Sequence, residues 1–559
     1  MFINGRQTEE GAVFQSEVCI IGGGVAGITM GLELARKGIE VCILESGGHT
    51  PDNATRDLYR GESTGIPYSF SDGCRSRFLG GSSNCWGGWC APLDAFDFDA
   101  RSWVNESGWP ITLADLDPFY RRAHEVLKLG PYNYDPSWWE NAINHPDVKR
   151  IPKEDVSVMT DKISQFSPPA RMGIMYKEDL SVKNLMVCLY TNVTDIQTDE
   201  NGHKITQVKA SSLRGNSFYI KADQFILATG GIENARLLLS SDTVHKNGLG
   251  NSNDLVGRYF MDHPRLLSGS IRFKKPWMRN RLYDIKYNYH SPVVSAFNTC
   301  IASQLALSPE MQEREGLLNA RISFSSRFPG EGTTGALALW RFKQAFFKKE
   351  TDAFRAGREF FSIIANPVGA TSYGITRFYR PRYFVRDVNF QIIVEQEPNA
   401  QSRVLLSSEK DPLGMRRVQV NWHTGMLERH TVDKSLSIIA DKLGSLGVTE
   451  KITLGPKLAD NEWPRDLEGA WHHMGTTRMH NSPKKGVVDK DCKVHGLENL
   501  YIAGSSVFPT GGANFPTITL TALALRLSDH IAKKISTGAV NMAVTYPTDY
   551  KIYRQKETG

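Results

Sequence analysis

Residues 17–45 constrain this chain more than any others, because they spell strand, glycine turn, helix and strand in succession. EVCII at 17–21 is a short, nearly continuous apolar run, the pattern of a strand buried on both faces. Gly22, Gly23 and Gly24 follow, and residues 25–37 then carry a helical pattern that Gly38 stops. EVCIL at 40–44 predicts a second strand, ending at Glu45. The spacing Gly22-x-Gly24-x-x-Gly27 therefore falls between a strand and a helix, the context in which it has mechanical meaning. Gly22 permits a tight turn, Gly24 lets the backbone approach a pyrophosphate, and Gly27 lets helix and strand pack closely. The helix start offers free N–H groups and a positive dipole end to phosphates. Glu45, 18 residues after Gly27, stands where a carboxylate accepts ribose hydroxyls. Dinucleotide binding is the expectation; a merely structural glycine turn is the alternative.

Composition narrows the class. In 559 residues, 66 Lys+Arg against 60 Asp+Glu leave a net charge of +6, which calls for no nucleic-acid partner. With 40% hydrophobic and 23% charged residues the chain is globular rather than disordered, and its length predicts two domains. The eight cysteines are scattered with no C-x-x-C, so neither a disulfide framework nor a metal site is expected. No apolar stretch of about 7–15 residues precedes the first strand, which predicts no secretory signal. No run of about 18 apolar residues exists to span a membrane. Reduced thiols in a cytoplasmic protein are the expectation.

Further along, residues 75–98 are dense in Gly, Ser and Trp without a period and predict a structured loop. Residues 113–129 form an amphipathic helical pattern, broken or begun at Pro118. Alternation at 186–196 and 215–227 predicts sheet strands, the second running into Ala228-Thr229-Gly230-Gly231 and a helix. Strands at 404–406 and 418–422 belong to a block, 266–469, of different texture. Between Trp340 and Phe361 lies a basic, aromatic-rich helical pattern, open to reading as a lid, an oligomer contact, a membrane-surface helix or a plain solvated face. The first texture returns at 471–535, with a strand, Ala503-Gly504-Ser505, a Gly/Pro loop and a long apolar helix. Glycine junctions so far apart suggest one nucleotide site assembled from distant segments. That suits FAD, which is long and must be held at both ends; ordinary glycine turns are the alternative.

Two C-terminal segments carry candidate chemistry. In Trp471-His472-His473-Met474-Gly475-Thr476, adjacent histidines offer the side chain best suited to moving protons near neutrality, or else a hydrogen-bonded structural pair. In PTGGANFPTIT (509–519), Pro516 starts a helix and Thr517 continues it, so a positive helix end would face the Gly511-Gly512 loop. A reduced flavin is negative at its N1–C2=O edge, and such an end favours hydride acceptance. Asn514 either orients a substrate hydroxyl or caps the helix.

GGGVAG with Glu45, LGGSSNCWGG at 79–88, WHHMGTTRM and the closing GLENLYIAGSSVFPTGGANFPTITLTALALRLSDH together resemble the glucose-methanol-choline (GMC) oxidoreductases, closest to the sugar-oxidising branch. The resemblance implies an α/β fold in which a Rossmann-like FAD-binding domain is interleaved with an α+β substrate domain built on an antiparallel sheet. The expected boundaries are 1–265 and 471–539 for the FAD domain, 266–470 for the substrate domain, and a tail at 540–559. It implies oxidation of an alcohol by hydride transfer to flavin N5, with His472 as base and Asn514 helping to hold substrate. It also implies an adenine contact at Val193 and a flavin-covering loop that contains Gly80, Ser83, Asn84, Cys85 and Trp86. Ala228, Gly504, Ser505, Pro516 and Thr517 complete the expected cofactor set. Some members bind flavin covalently through a His where this chain has Cys85, so FAD is expected to be non-covalent. Phe515 stands directly before the proline where many members have Asn or His. The leading expectation is oxidation of a sugar or glycoside hydroxyl to a carbonyl, with oxygen or a quinone-type acceptor. A non-sugar primary alcohol, a non-redox lyase on the same scaffold, and a binding protein are the alternatives; a homo-oligomer is possible.

Overall fold

The computed structural model describes residues 1–559 except 70–72, 145–147, 152–156, 169–170, 276–281, 285–296, 298, 328–329, 348–352, 379–386, 459–461, 540–552 and 555–559. The opening unit forms as strand Ala12–Ile21, helix Val25–Arg36 and strand Val41–Leu44. Val41–Leu44 is buried at every position, as its unbroken apolar run requires of a strand covered on both faces.

These strands centre a nine-stranded sheet. Its order runs Phe2–Asn4, Leu185–Leu189, Val41–Leu44, Ala12–Ile21, Ser217–Leu227, Ile205–Ser211 and Asn192–Thr198. Strand Leu500–Ile502 also pairs in parallel with Ser217–Leu227, Phe225 opposite Leu500. The centre is parallel, with Val18 opposite Val41 and Ile21 opposite Leu227. The edge formed by Ile205–Ser211 and Asn192–Thr198 is antiparallel. Residues near both ends of the chain thus meet in one sheet. The helix Pro516–Ala539 packs its apolar face, including Ile518, Leu523, Leu527 and Ile531, into the same core. Arg122 bridges Glu33 and Asp529 at 2.5 and 2.8 Å, tying three helices at their solvent side; half-exposed pairs of this kind add about 1 kcal/mol at most. Apolar burial carries the packing.

The second sheet has eight strands, all antiparallel. Its order is Thr449–Leu454, Pro264–Phe273, Asp387–Val394, Ala320–Ser326, Cys300–Leu307, Met159–Phe166 and Trp89–Cys90, with Glu468–Gly469 beside Pro264–Phe273. Helix Met426–Ser445 lays Val432, Leu436, Ile439 and Leu443 against it to close a separate core. This sheet draws on more of the chain than 266–470. Met159–Phe166 pairs along its whole length with Cys300–Leu307, and Trp89–Cys90 adds to its far side. The molecule is an α/β protein whose mixed sheet and antiparallel sheet are interleaved in sequence. A small third sheet joins Gly61–Ser63, Arg403–Lys410 and Arg416–Asn421, so the predicted strands at 404–406 and 418–422 pair outside the main antiparallel sheet.

Helix Leu113–Val126 runs through Pro118 rather than starting or breaking there. Thr112 and Asp115 form a reciprocal cap that satisfies the first-turn donors, and Leu116 and Tyr120 are fully buried, which outweighs the one hydrogen bond proline removes. The basic segment around Trp340 and Phe361 is helical, as Thr334–Phe347 and Ala353–Ala365, with 348–352 outside the described residues. Most of the tail 540–559 also lies outside them; Tyr553–Arg554 pair with Ala12 and Val13. Among the described residues no helix is long and apolar enough to cross a membrane.

Candidate functional site

A cavity of about 610 Å³ runs from the glycine turn to the C-terminal histidines. At one end stand Gly22, Gly24 and Glu45 with Thr191 and Val193; at the other stand Trp89, Trp471, His472, Phe515, Pro516 and Thr517; Ala228, Gly504 and Ser505 lie on the same wall. A slightly larger groove of about 710 Å³ is lined by Thr194, Asp195, Lys209, Asp242 and Arg416. It holds no histidine and no helix start, so the chemistry belongs to the first.

The glycine turn is shaped by contact. Gly22 has φ of +114°, and a Cβ there would lie 2.5 Å from the Ala228 carbonyl. A Cβ on Gly27 would lie 1.9 Å from the Gly22 carbonyl, so strand and helix touch through it. Gly24 caps helix Val25–Arg36 without a side-chain hydrogen bond, leaving the first-turn donors open toward the cavity. Glu45 accepts from the Gly23 and Gly47 amides at 3.0 and 2.9 Å, while burial pushes its carboxyl upward. Arg75 and Arg77, also on the wall, share the buried Glu233 at 3.4 and 3.2 Å.

The loop over the cavity divides the predicted residues. Ser83, Cys85 and Trp86 line it. Gly80 and Asn84 of the loop do not, nor does Gly27 of the first helix. Asn84 Nδ2 donates to the Leu79 and Gly81 carbonyls, and Ser83 Oγ donates to the Gly80 carbonyl at 2.6 Å. Burial raises the Cys85 thiol, keeping it protonated.

At the histidine end the hydrogen bonds dictate tautomers. His263, fully buried, has Nε2 at 2.8 Å from the Gly512 carbonyl and Nδ1 at 2.8 Å from His472 Nδ1. A carbonyl only accepts, so His263 Nε2 carries the proton and its Nδ1 accepts. His472 Nδ1 must then donate, which leaves the His472 Nε2 lone pair free. Burial, reinforced by His263 and His473, holds His472 far below the ordinary imidazole value, so this neutral arrangement persists at neutral pH. Burial lowers His263 too. Asp262 orients the pair: Oδ1 accepts from the His263 and His472 amides, both at 2.7 Å, and Oδ2 from the Trp471 amide at 2.9 Å and the Tyr68 hydroxyl. These bonds hold Trp471 at φ +63°, an uncommon conformation for a bulky residue.

Asn514 is not on the wall. Its Nδ2 donates to the Pro92 carbonyl, its side chain is fully buried, and its Oδ1 has no hydrogen-bond partner among the described residues, so it does not cap the helix. Phe515 takes the wall position, its ring edge-on to His472 at 5.6 Å. The reason lies in the partners: the Pro92 carbonyl captures Asn514, while Phe515 finds Trp89 at 4.9 Å on the cavity side.

A family profile described as GMC oxidoreductase matches residues 398–524, and one described as FAD dependent oxidoreductase matches 17–243. The chain thus carries a region like the FAD-dependent oxidoreductases toward its N-terminus and one like the GMC oxidoreductases toward its C-terminus. It is 24% identical to a 2-methyl-1,2-propanediol dehydrogenase of Mycolicibacterium austroafricanum, across 93% of this chain and 96% of that one. It is also 24% identical to a 6'''-hydroxyparomomycin C oxidase of Streptomyces lividus, across 93% and 92%. Among solved structures, pyridoxine 4-oxidase from Mesorbium loti superposes with a TM-score of 0.53 at 17% identity, covering 92% of this chain and 99% of that one. The two profiles mark it as an FAD-dependent oxidoreductase.

The residues present fit FAD. The cavity joins an open helix start at Gly24 to a second helix start at Pro516, and at its histidine end His473 Nε2 is buried without a hydrogen-bond partner among the described residues. Sequence reasoning missed Asp262, His263 and the Arg75–Arg77–Glu233 cluster. Met261-Asp262-His263-Pro264 did carry a signal, an acid and an imidazole side by side where a strand begins, but only folding brings them to His472.

Proposed function

We propose that this enzyme oxidises a hydroxyl of a sugar or glycoside to a carbonyl, with His472 as the general base. FAD, when bound, would supply the two-electron acceptor for the hydride. His472 Nε2 takes the hydroxyl proton, while Nδ1–H stays anchored on His263. Pro516 and Thr517 present a positive helix end that favours negative charge developing beside them. Trp89, Trp471 and Phe515 give apolar ring faces for the C–H face of a sugar, and Ser323 and Gln391 supply partners for its hydroxyls. The mixed sheet and its helices would hold FAD, with Val193 toward adenine; the antiparallel sheet would face substrate. The protonated Cys85 thiol argues for non-covalent FAD.

The His263–His472 pairing carries this reading, because it keeps one imidazole nitrogen unprotonated on the cavity wall. Anaerobic reduction of the yellow enzyme by a panel of monosaccharides, glycosides and aminosugars tests it, followed by reoxidation with oxygen or a quinone. His472→Ala should retain flavin and lose at least about a hundredfold in reduction rate. A variant that loses flavin yet turns over normally per bound flavin would refute the assignment.

A second reading rests on the diol dehydrogenase relative: a small non-sugar alcohol fits the same aromatic end. Bleaching by short diols and by no sugar would select it.

A further inference from the structure

Strands Ala320–Ser326 and Asp387–Val394 are neighbours, yet the chain between them leaves the sheet to form helices Thr334–Phe347, Ala353–Ala365 and Pro367–Phe378. The helices pack on one another. A Cβ on Gly335 would lie 2.2 Å from the Asn366 carbonyl, Phe342 meets Phe360 at 6.0 Å, and Arg341 reaches Glu359 at 3.9 Å.

What they leave outside is apolar. Trp340 on the first helix, Phe361 and Ile364 on the second, and Val368 and Ile375 on the third are exposed, Phe361 by 72% and Val368 by 82%. Seven of the fifteen large hydrophobics exposed among the described residues belong to these helices, so apolar exposure is concentrated on this one excursion. Its charge is equally concentrated. Residues 334–378 contain seven Lys or Arg and three Asp or Glu, a surplus of four in a chain whose whole surplus is six. Arg341, Lys343 and Arg358 are exposed.

We propose that this three-helix excursion seats the enzyme on an anionic membrane surface. The acyl boundary would take the Trp, Phe and Ile side chains, and the headgroups the Lys and Arg. At 14, 13 and 12 residues the helices are shorter than the ~20 needed to span a bilayer, so they lie along it. A second copy of the chain is a poorer occupant, because it would set like charges against each other. The excursion leaves the sheet near the active cavity: Ser323 and Gln391, which line it, are paired, and the last pair before the strands part is Ser326 with Val388, three residues or about 10 Å further on.

Sedimentation of the flavin-loaded enzyme with vesicles of phosphatidylcholine alone, or of phosphatidylcholine with phosphatidylglycerol, tests this. Binding is expected only with phosphatidylglycerol and should weaken with added salt. Lys343→Gln and Arg358→Gln should each reduce it about fivefold. The triple variant Phe361→Ser, Ile364→Ser, Val368→Ser should abolish it, with flavin content and turnover of a water-soluble substrate unchanged. Enzyme that stays in solution with anionic vesicles, or a triple variant that sediments like the parent, overturns the proposal. So does an oligomer that the triple variant converts to monomer while neither form binds vesicles, which would mark a contact between copies.

Discussion

Asp262 gathers four donors on one carboxylate, and the geometry of His472 depends on all four. In Asp262→Asn one oxygen becomes an NH₂ that faces the Trp471 amide and the Tyr68 hydroxyl. With the turn at Trp471 no longer held, kcat should fall about ten- to a hundredfold, the cost of one or two charge-assisted bonds. Flavin content should stay near normal, and an unchanged kcat would show that the turn holds itself. His263→Ala probes the relay differently. His472 Nδ1–H loses its acceptor, so the rate should drop about tenfold, less than in His472→Ala. The pH profile supplies the readout a structural role would not move. A base must be unprotonated, and His472 is held far below the ordinary imidazole value, so kcat/KM should be flat through neutrality and decline only in acid. In His263→Ala, with one depressing neighbour gone and water admitted, that acid limb should move up toward the ordinary value. Stability follows the same sign. His473, pushed down to about 3 by burial, stays neutral when folded, whereas the unfolded imidazole takes a proton near 6.5. His263 and His472 are depressed likewise. The unfolded state therefore binds more protons as pH falls below 6.5, and Tm should decline from there toward 3, each group costing about 1.4 kcal/mol per pH unit while it alone titrates.

Elements explain what was readable in advance and what was not. The strand–turn–helix–strand at 17–44 was legible because each of its signals is local: an apolar run, a fixed glycine spacing, an acid at the strand end; the strand itself begins earlier, at Ala12. Gly27→Ala tests the unit. Its methyl would enter the space of the Gly22 carbonyl, 1.9 Å away, and push the helix off the strand. The protein should then purify colourless or poorly folded, and a yellow, active Gly27→Ala enzyme would mean the contact yields easily. The loop at 509–516 was legible only in part. Its glycines and Pro516 marked a helix entry, but which side chain faced inward depended on partners remote in sequence. Trp109 Nε1 donates to Thr510 Oγ1 at 2.9 Å, the Gly512 carbonyl accepts from His263, and Pro92 captures Asn514. Residue 515 rather than 514 therefore reaches the cavity. Pro118 shows the converse: a strong local breaker was overruled by a cap six residues earlier and by the burial of Leu116 and Tyr120.

At the scale of the whole molecule, the antiparallel sheet hid from sequence reading because its neighbours are far apart. Pro264–Phe273 pairs with Thr449–Leu454, and Met159–Phe166 with Cys300–Leu307, which no local pattern announces. The same distance makes the cofactor part of the fold. The cavity wall takes residues from Ile21 to Leu520, so FAD held there would bridge both ends of the chain and both sheets. A ligand that binds only the folded state adds stability by mass action, about 2.7 kcal/mol at a hundredfold excess over Kd. Apoprotein prepared by mild flavin extraction should therefore melt well below the holoenzyme and regain Tm progressively as FAD is titrated in. The expected pattern has a second part. Protease cleavage of the apoprotein should begin in segments that meet only around the cavity, such as the loop at 73–89 and the turn at 469–473, while the parallel strands resist. If Tm is indifferent to added FAD, the two ends close on each other through their apolar core alone, and the cofactor is a passenger in a site already complete.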